Sequence, residues 1–158
     1  MGSKYVVIMP SATTAIFTVI YVLLPKKAMA NFASSLVCET VSYAVQAADK
    51  KPRFLKIDSH TFDIDEDLIE NRINDKTGAR IAVHQSGIPC NMAQISRIAR
   101  ENNLLLIEDA AQALRAEYNG KKVDTIGDIG ILSFNNKVID ACGGATIVTD
   151  NDDFFLKT

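Results

Sequence analysis

Short apolar runs alternate along the chain with longer segments whose apolar residues recur at helical spacing. The short runs are rich in β-branched residues, which favour strands, and turn-forming residues bound them. This alternation is typical of the α/β class, and we predict three layers, with helices flanking a mostly parallel, seven-stranded sheet. The predicted strands are residues 6–9, 28–32, 53–57, 80–84, 104–108, 130–134 and 145–149.

Helical periodicity is clearest over residues 92–101, and residues 37–48 show the same spacing. Residues 65–73 have the composition of a further helix, and residues 150–158 that of a capped helix start. The Asn119–Gly120 pair predicts a turn between two short extended segments. Since no repeat or flexible linker interrupts the pattern, we expect a single domain.

Residues 5–24 contain no charged side chain, and this length suffices for a membrane span or a signal-peptide core. Within them, Pro10 is followed by a serine and two threonines, which suit hydrocarbon poorly. The alternative is a buried strand, a turn and a helix from about residue 13 to residue 24. The polar cluster favours this second interpretation, and cell fractionation would test the membrane alternative.

Composition narrows the classes of function. The chain is 47% hydrophobic and 23% charged, with a net charge of -2, so it offers no basic field for nucleic acid. Its three cysteines are widely spaced, which favours a reducing cytoplasm over a disulfide framework. We interpret His60 and His84 as non-catalytic because neither has the spacing of a metal site. GxSxG, GxxxxGK[ST] and GxGxxG motifs are absent from the sequence.

Three segments carry candidate chemistry at places where an open α/β sheet binds ligands. The first is Ser-Ala-Thr-Thr at residues 11–14, between the first strand and the next helix. Free amides and the helix dipole there suit a phosphate dianion. An ordinary serine or threonine helix cap explains the same residues.

The second segment is LLLIEDAAQ at residues 104–112, an apolar run that ends in two carboxylates. Asp109 at a strand end can hold a protonated ring nitrogen through a charge-assisted hydrogen bond, which keeps a cofactor an electron sink. Alternatively, Glu108 and Asp109 simply solvate the strand end or cap a helix.

The third segment, residues 130–149, places Lys137 in a loop between two predicted strands, before a glycine pair. A lysine there can form an imine with an aldehyde cofactor if cationic or apolar neighbours lower its pKa. Most lysines are merely solvated, and Lys137 is one of 11 in the chain.

In this order, the three segments resemble the DegT/DnrJ/StrS family of PLP-dependent aminotransferases, many of which aminate keto groups on nucleotide-linked sugars. SATTAI stands where the family usually has Ser-Gly-Thr-x-Ala-Leu, so Ala12 replaces a glycine. KPRFLKID, AVHQSGIPCNM and GGATIVT also follow the family pattern, and IEDAAQA with GDIGILSFNNK is its specific part. The resemblance covers nearly the whole chain and implies the large domain of the aspartate aminotransferase-like fold, fold type I.

The resemblance implies pyridoxal 5'-phosphate as the cofactor and a role for each matching residue. The implied contacts are Ala12 and Thr13 backbone on the phosphate, Asp109 on the pyridine nitrogen, Gln112 near the phenolic oxygen, Ser133 on the phosphate, Lys137 as the internal aldimine and, from a loose alignment, Phe32 stacked on the ring. An amino acid would donate its nitrogen and a keto sugar would receive it, with Lys137 as general base and acid.

The resemblance also bears on the domain and its partners. It implies one PLP-binding large domain over residues 1–158, truncated at both ends, without the family's leading helix and smaller carboxyl-terminal domain. Family members usually form homodimers. The loop after Lys137 is one residue shorter than the family pattern. Two hypotheses follow: an aminotransferase present as a fragment of a longer enzyme, or a shortened, inactive remnant that binds PLP or a partner.

Overall fold

A computed structural model of the chain describes residues 2–26, 28, 33–58, 64, 67–135 and 141–158. Its strands are β1 Tyr5–Met9, β2 Ala33–Ser34, β3 Phe54–Leu55, β4 Ala79–Val83, β5 Leu105–Asp109, β6 Glu117–Tyr118, β7 Lys121–Lys122, β8 Ile129–Ser133 and β9 Ala145–Thr149. Its helices are α1 Ala12–Leu23, α2 Glu39–Ala47, α3 Asp67–Glu70, α4 Met92–Glu101 and α5 Asp152–Phe155, with a 3-10 turn at Gln85–Gly87. The α/β class is confirmed.

Five strands form the central sheet, in the order β1-β9-β8-β5-β4. β4, β5 and β8 are parallel to one another, whereas β9 is antiparallel to both β8 and β1. The sheet is therefore mixed, but four of its five strands run in one direction, in keeping with the predicted mostly parallel sheet. Because β1, β4, β5 and β8 still run in one direction, their carboxyl ends share one side of the sheet, the carboxyl edge.

The predicted count of seven strands is not confirmed. Among the described residues, β2 and β3 pair in parallel as a two-stranded sheet, and β2 lies beside β4. The predicted strand 28–32 falls outside the described residues except for Ala28. The predicted strand 53–57 shortens to β3, whose flanking Arg53 and Lys56 are charged. The other five predicted strands match the central sheet to within one residue at each end.

Two apolar clusters cover the two faces of the sheet. One lies under α1 and α2 and includes Ile16, Ile107 and Ile131. The other lies under α4 and includes Ile95 and Leu106. Because side chains alternate along a strand, β5 directs Ile107 to the α1 side and Leu106 to the α4 side. We call these two sides the α1 face and the α4 face.

The uncharged stretch near the amino terminus forms β1 and α1, as the second interpretation predicted. α1 buries Ala15, Ile16, Val19 and Ile20 against the sheet and ends at Leu23, shortly before Pro25. Proline restricts the residue before it to extended backbone, which accounts for the end of the helix. Among the described residues, no helix combines the length and the apolar character that a membrane span requires.

The remaining local predictions vary in accuracy. α4 has the predicted bounds, and α2 is shorter than predicted at both ends. The predicted helix 65–73 is reduced to α3, although residues 65 and 66 lie outside the described part. Asn119 and Gly120 both have left-handed backbone (φ 50° and 76°) between β6 and β7, which confirms the predicted turn. Asn151 caps α5 through a hydrogen bond from the Phe154 amide.

Candidate functional site

The carboxyl edge brings together the segments that the sequence singled out. β1 leads through Pro10 into α1, β5 ends at Asp109, and β8 ends at Ser133. The register places Met9, Ala145 and Ser133 in one row across β1, β9 and β8. The candidates Asp109 and Ser133 therefore lie on the ends of strands in one sheet, where open α/β sheets bind their ligands.

The amino terminus of α1 is capped by its own side chains. Ser11 has extended backbone (φ -159°, ψ 161°), and its Oγ accepts a hydrogen bond from the Thr14 amide at 3.1 Å. The Ser11 amide donates to Thr14 Oγ1 at 3.1 Å, which completes a capping box. The amides of Ala12 and Thr13 donate to no acceptor in the described part of the chain. These two amides and the helix dipole suit an anion.

Ala12 stands where the family resemblance leads us to expect a glycine. It is the first residue of α1 and has helical backbone, so the position requires no glycine-specific conformation. Its side chain is partly buried against the apolar cluster beneath the helix. The extra methyl group therefore packs against the core, and the site keeps its helix-terminal amides.

Asp109 and Ser133 share the α1 face of the carboxyl edge. Asp109 has the same strand parity as Ile107, and Ser133 that of Ile131. Both side chains are buried, with relative exposures of 6%. Asp109 Oδ1 accepts a hydrogen bond from the Ala111 amide at 3.0 Å, which fixes the carboxylate at the strand end. A buried carboxylate and a buried hydroxyl here suit a cationic ring nitrogen and a phosphate.

Gln112 links two loops of the carboxyl edge through a hydrogen bond. Its Oε1 accepts a hydrogen bond from the Ser86 amide at 3.0 Å, and Ser86 has left-handed backbone (φ 55°). Gly87 follows with φ 84°, and a Cβ there would lie 3.4 Å from the Gln112 carbonyl oxygen. Because Oε1 is engaged, the Nε2 amide of Gln112 is the group that can donate to a ligand oxygen.

Lys137 and Phe32 lie outside the described residues, so their predicted roles stay predictions. The described residues on either side of the Lys137 segment meet at the carboxyl edge. The Phe134 amide donates to the Gly144 carbonyl at 2.9 Å, and the Ala141 amide donates to the Phe134 carbonyl at 3.0 Å. Gly143 and Gly144 both have left-handed backbone, which glycine adopts readily. The segment thus begins and ends beside Ser133.

The sequence did not predict a buried polar network on the α4 face. Glu108 and His84 are both fully buried and hydrogen-bond each other at 3.0 Å. Burial, and secondarily the charge of Glu108, raises the pKa of the nearby Asp124 to about 6. Because Glu108 is fully buried and Asp109 is 6% exposed, neither carboxylate simply solvates the strand end. The signal was available in the strand parity, which directs Glu108 and His84 to the same face as Leu106.

Within the part of the chain that the structure describes, no group of three or more histidine, cysteine, aspartate or glutamate side chains has the arrangement of a metal site. Both ring nitrogens of His84 are hydrogen-bonded inside the protein, and its interpretation as non-catalytic stays a prediction. His60 lies outside the described residues. The donors that the structure describes on the α1 face are a carboxylate, a hydroxyl and the amides at the start of α1.

Comparison with known proteins identifies similar chains. The model of the DegT/DnrJ/EryC1/StrS aminotransferase family matches residues 1–157. An uncharacterised protein of Methanocaldococcus jannaschii is 37% identical over 158 residues, which cover 99% of this chain and 41% of that protein. The GDP-perosamine synthase of Escherichia coli O157:H7 is 39% identical over 109 residues, which cover 68% of this chain and 30% of that protein.

A solved structure shares the fold. The GDP-4-keto-6-deoxy-D-mannose-3-dehydratase of E. coli, solved with bound hydrated PLP, superposes with a TM-score of 0.87 at 28% identity. The match covers 98% of this chain and 41% of the dehydratase. This chain therefore spans less than half the length of each of these relatives.

Proposed function

Because the chain belongs to the DegT/DnrJ/EryC1/StrS aminotransferase family, we propose that it is the PLP-binding part of a sugar aminotransferase. The enzyme would move an amino group from an amino acid to a keto sugar linked to a nucleotide. The observation that carries this proposal is the α1 face of the carboxyl edge, where Asp109, Ser133 and the amides at the start of α1 lie on the ends of three strands. We further propose that residues 1–158 form one cofactor-binding large domain.

Different donors at the carboxyl edge would bind different parts of the cofactor. The amides of Ala12 and Thr13 hold the phosphate with the help of the helix dipole, and the Ser133 hydroxyl adds a neutral donor. These groups are suited to the task because neither amide has an acceptor in the described part of the chain. The phosphate end of the cofactor would therefore lie between α1 and the end of β8.

The other end of the cofactor would meet Asp109. A carboxylate that is 6% exposed keeps a ring nitrogen protonated through a charge-assisted hydrogen bond. When bound, PLP supplies the electron sink that stabilises negative charge at the carbon next to the amino nitrogen. Gln112 Nε2 would donate to the phenolic oxygen, since Gln112 Oε1 is held by Ser86.

Lys137 would bind the cofactor covalently and then move protons as general base and acid. The support for this role is the family match over residues 1–157 and the position of the loop, which begins and ends beside Ser133. A lysine that transfers protons near neutral pH needs a pKa below its ordinary value. A cationic or apolar neighbourhood would provide that decrease.

The names of the relatives guide the choice of substrate. The E. coli synthase and the E. coli dehydratase are both named for GDP-linked sugars. We therefore propose a nucleotide-linked keto sugar as amino acceptor and an amino acid as donor. We also propose a homodimer for the full-length enzyme, while a cytoplasmic location stays a prediction from the sequence.

An amino-acid half-reaction tests the proposal. The 158-residue chain is loaded with PLP, L-glutamate is added, and the visible absorption of the cofactor is followed. We expect the band to disappear and to return when GDP-4-keto-6-deoxy-D-mannose is added. PLP binding with no response to a panel of amino acids would support the inactive remnant instead. Failure to bind PLP would contradict both.

A further inference from the structure

Glu108 lies one residue before Asp109 on β5, and its side chain occupies the opposite, α4 face. Glu108 is fully buried, and its carboxylate accepts hydrogen bonds from four donors of the protein. The donors are His84 Nε2 at 3.0 Å and the Asp124 amide at 3.2 Å on Oε2, and the Ile126 amide at 2.7 Å and the Gly127 amide at 2.6 Å on Oε1. A buried carboxylate is tolerated only when it is hydrogen-bonded in this way.

His84 links Glu108 to β4 and to the backbone of β5. Its Nδ1 accepts a hydrogen bond from the Cys90 amide at 3.1 Å, so Nδ1 carries no proton and Nε2 donates to Glu108. The His84 amide also donates to the Asp109 carbonyl at 3.1 Å. One residue thus holds both the side chain of Glu108 and the backbone of Asp109.

The segment 124–127 reaches Glu108 by crossing directly over β8. Gly130 of β8 lies opposite Glu108 in the sheet register. A Cβ on Gly130 would lie 2.1 Å from the Asp124 carbonyl oxygen, which no side chain tolerates. The missing side chain at Gly130 lets the segment lie flat on the sheet, where its amides point at the Glu108 carboxylate.

The carboxylate of Glu108 therefore joins the end of β4, the end of β5 and the segment that leads into β8. The last residue of β5 is Asp109 and the last residue of β8 is Ser133, both on the α1 face. We propose that Glu108 is a positioning residue, which sets the spacing of these strand ends at which Asp109 and Ser133 contact the cofactor. This inference rests on the proposed function, because it assumes that PLP binds on the α1 face.

A purely structural role for Glu108 makes a different prediction. Loss of the carboxylate would then lower stability, while the protein that remains folded would bind PLP as the wild type does. A positioning role changes the folded protein itself. Charge-assisted hydrogen bonds depend steeply on geometry, so small shifts of Asp109 and Ser133 change both the affinity and the orientation of the cofactor.

The test compares Glu108→Gln with Glu101→Gln, which changes an exposed glutamate on α4. PLP dissociation constants are measured on the full 158-residue chain at a temperature where unfolding curves show each variant folded. Visible circular dichroism is then recorded at saturating PLP, because this signal reports cofactor orientation independently of affinity. We expect about tenfold weaker binding and an altered dichroic band for Glu108→Gln, and wild-type values for Glu101→Gln.

A folded Glu108→Gln protein with wild-type affinity and a wild-type dichroic band would overturn the positioning role and leave the proposed function intact. A wild-type chain that does not bind PLP would instead overturn the proposed function. If Glu108→Gln does not fold, His84→Ala removes one of the four donors and keeps the other three. The same two measurements then decide, with a smaller expected loss of about threefold in affinity.

Discussion

The two faces of β5 at the carboxyl edge carry adjacent carboxylates in opposite situations. On the α4 face, Glu108 accepts four hydrogen bonds from the protein, and Gly130 lets a loop close over it. On the α1 face, Asp109 ends β5, and at the same edge of the sheet the first amides of α1 have no acceptor in the described residues. We call the first arrangement the sealed network and the second the cofactor face.

The comparison shows that burial alone does not distinguish Asp109, the carboxylate proposed to bind the cofactor, from Glu108. Both carboxylates are nearly inaccessible, at 0% for Glu108 and 6% for Asp109. What separates them is the neighbourhood that strand parity gives to each side chain. Changes in the sealed network should therefore act mainly on stability, and on PLP affinity only through the spacing of the strand ends, whereas changes on the cofactor face should act directly on PLP affinity.

The largest expected effect is a loss of stability when a side chain is added at Gly130, where the segment 124–127 crosses β8. Gly130→Ala places a methyl group 2.1 Å from the Asp124 carbonyl oxygen, so the backbone of the crossing segment has to move. We expect the free energy of unfolding to fall by about 3 kcal/mol in urea denaturation. Gly2→Ala is the matched control, because a Cβ there meets its nearest atom at 4.0 Å. Equal stability of the two variants would show that the network is not tightly packed.

Asp124 gives the sealed network a pH dependence. Its pKa is raised from 3.8 to about 6, mainly by burial and then by the Glu108 charge. The folded chain thus holds this proton more tightly than the unfolded chain, so stability decreases as the pH rises from about 4 to about 6 and stays lower above that range.

Asp124→Asn removes this titration and suits the left-handed backbone at that position (φ 80°). We expect the variant to be more stable than the wild type by about 2–3 kcal/mol at pH 7 and equally stable below pH about 3.5. Thermal unfolding across this pH range measures the difference, with the exposed Asp153→Asn as control. A constant difference at every pH would contradict the assignment of the titration to Asp124.

Asp109→Asn tests the cofactor face. Asparagine keeps an oxygen that accepts the Ala111 hydrogen bond but removes the charge. We expect the PLP dissociation constant to rise about 30-fold, which corresponds to about 2 kcal/mol, with stability changed by less than about 1 kcal/mol. Fluorescence titration with PLP measures the affinity. Unchanged PLP affinity would show that Asp109 does not contact the cofactor.

The smallest expected effect lies at the cap of α1. Ser11→Ala removes the hydrogen bond to the Thr14 amide and should cost about 1 kcal/mol of stability, with a few-fold loss of PLP affinity because the helix start frays. Asn151→Ala removes the equivalent cap of α5 and serves as the control. It should lower stability without changing affinity. Equal effects of both variants on PLP affinity would show that the start of α1 does not bind the phosphate.

Much of the fold followed from periodicity, and the exceptions have physical causes. β9 and α4 have the predicted bounds because β-branched alternation and helical spacing are strong there. The two-residue strands β2 and β3 were not predicted at their true length, since short strands depend on neighbours far along the chain. The mixed direction of the sheet depends on how β9 returns, which a local pattern does not encode.

The residues of the candidate site, too, were predicted only in part. The family resemblance supplied Asp109 and Ser133, and the structure places both on the α1 face of the carboxyl edge. The network around Glu108 was missed because, although strand parity places His84 on the same face, the other three donors are amides of the segment 124–127, which carry no sequence signal. A loop closure of this kind is set by tertiary structure, so a single sequence reveals at most the glycines that permit it.

The central claim is that this chain holds PLP covalently through Lys137, and borohydride reduction tests it most directly. The PLP-loaded chain and its Lys137→Ala variant are reduced, digested and examined by mass spectrometry. We predict the reduced cofactor on the peptide that contains Lys137, at none of the other lysines among the 11 in the chain, and no adduct in the variant. An adduct on another lysine, or none in the wild type, would contradict the claim.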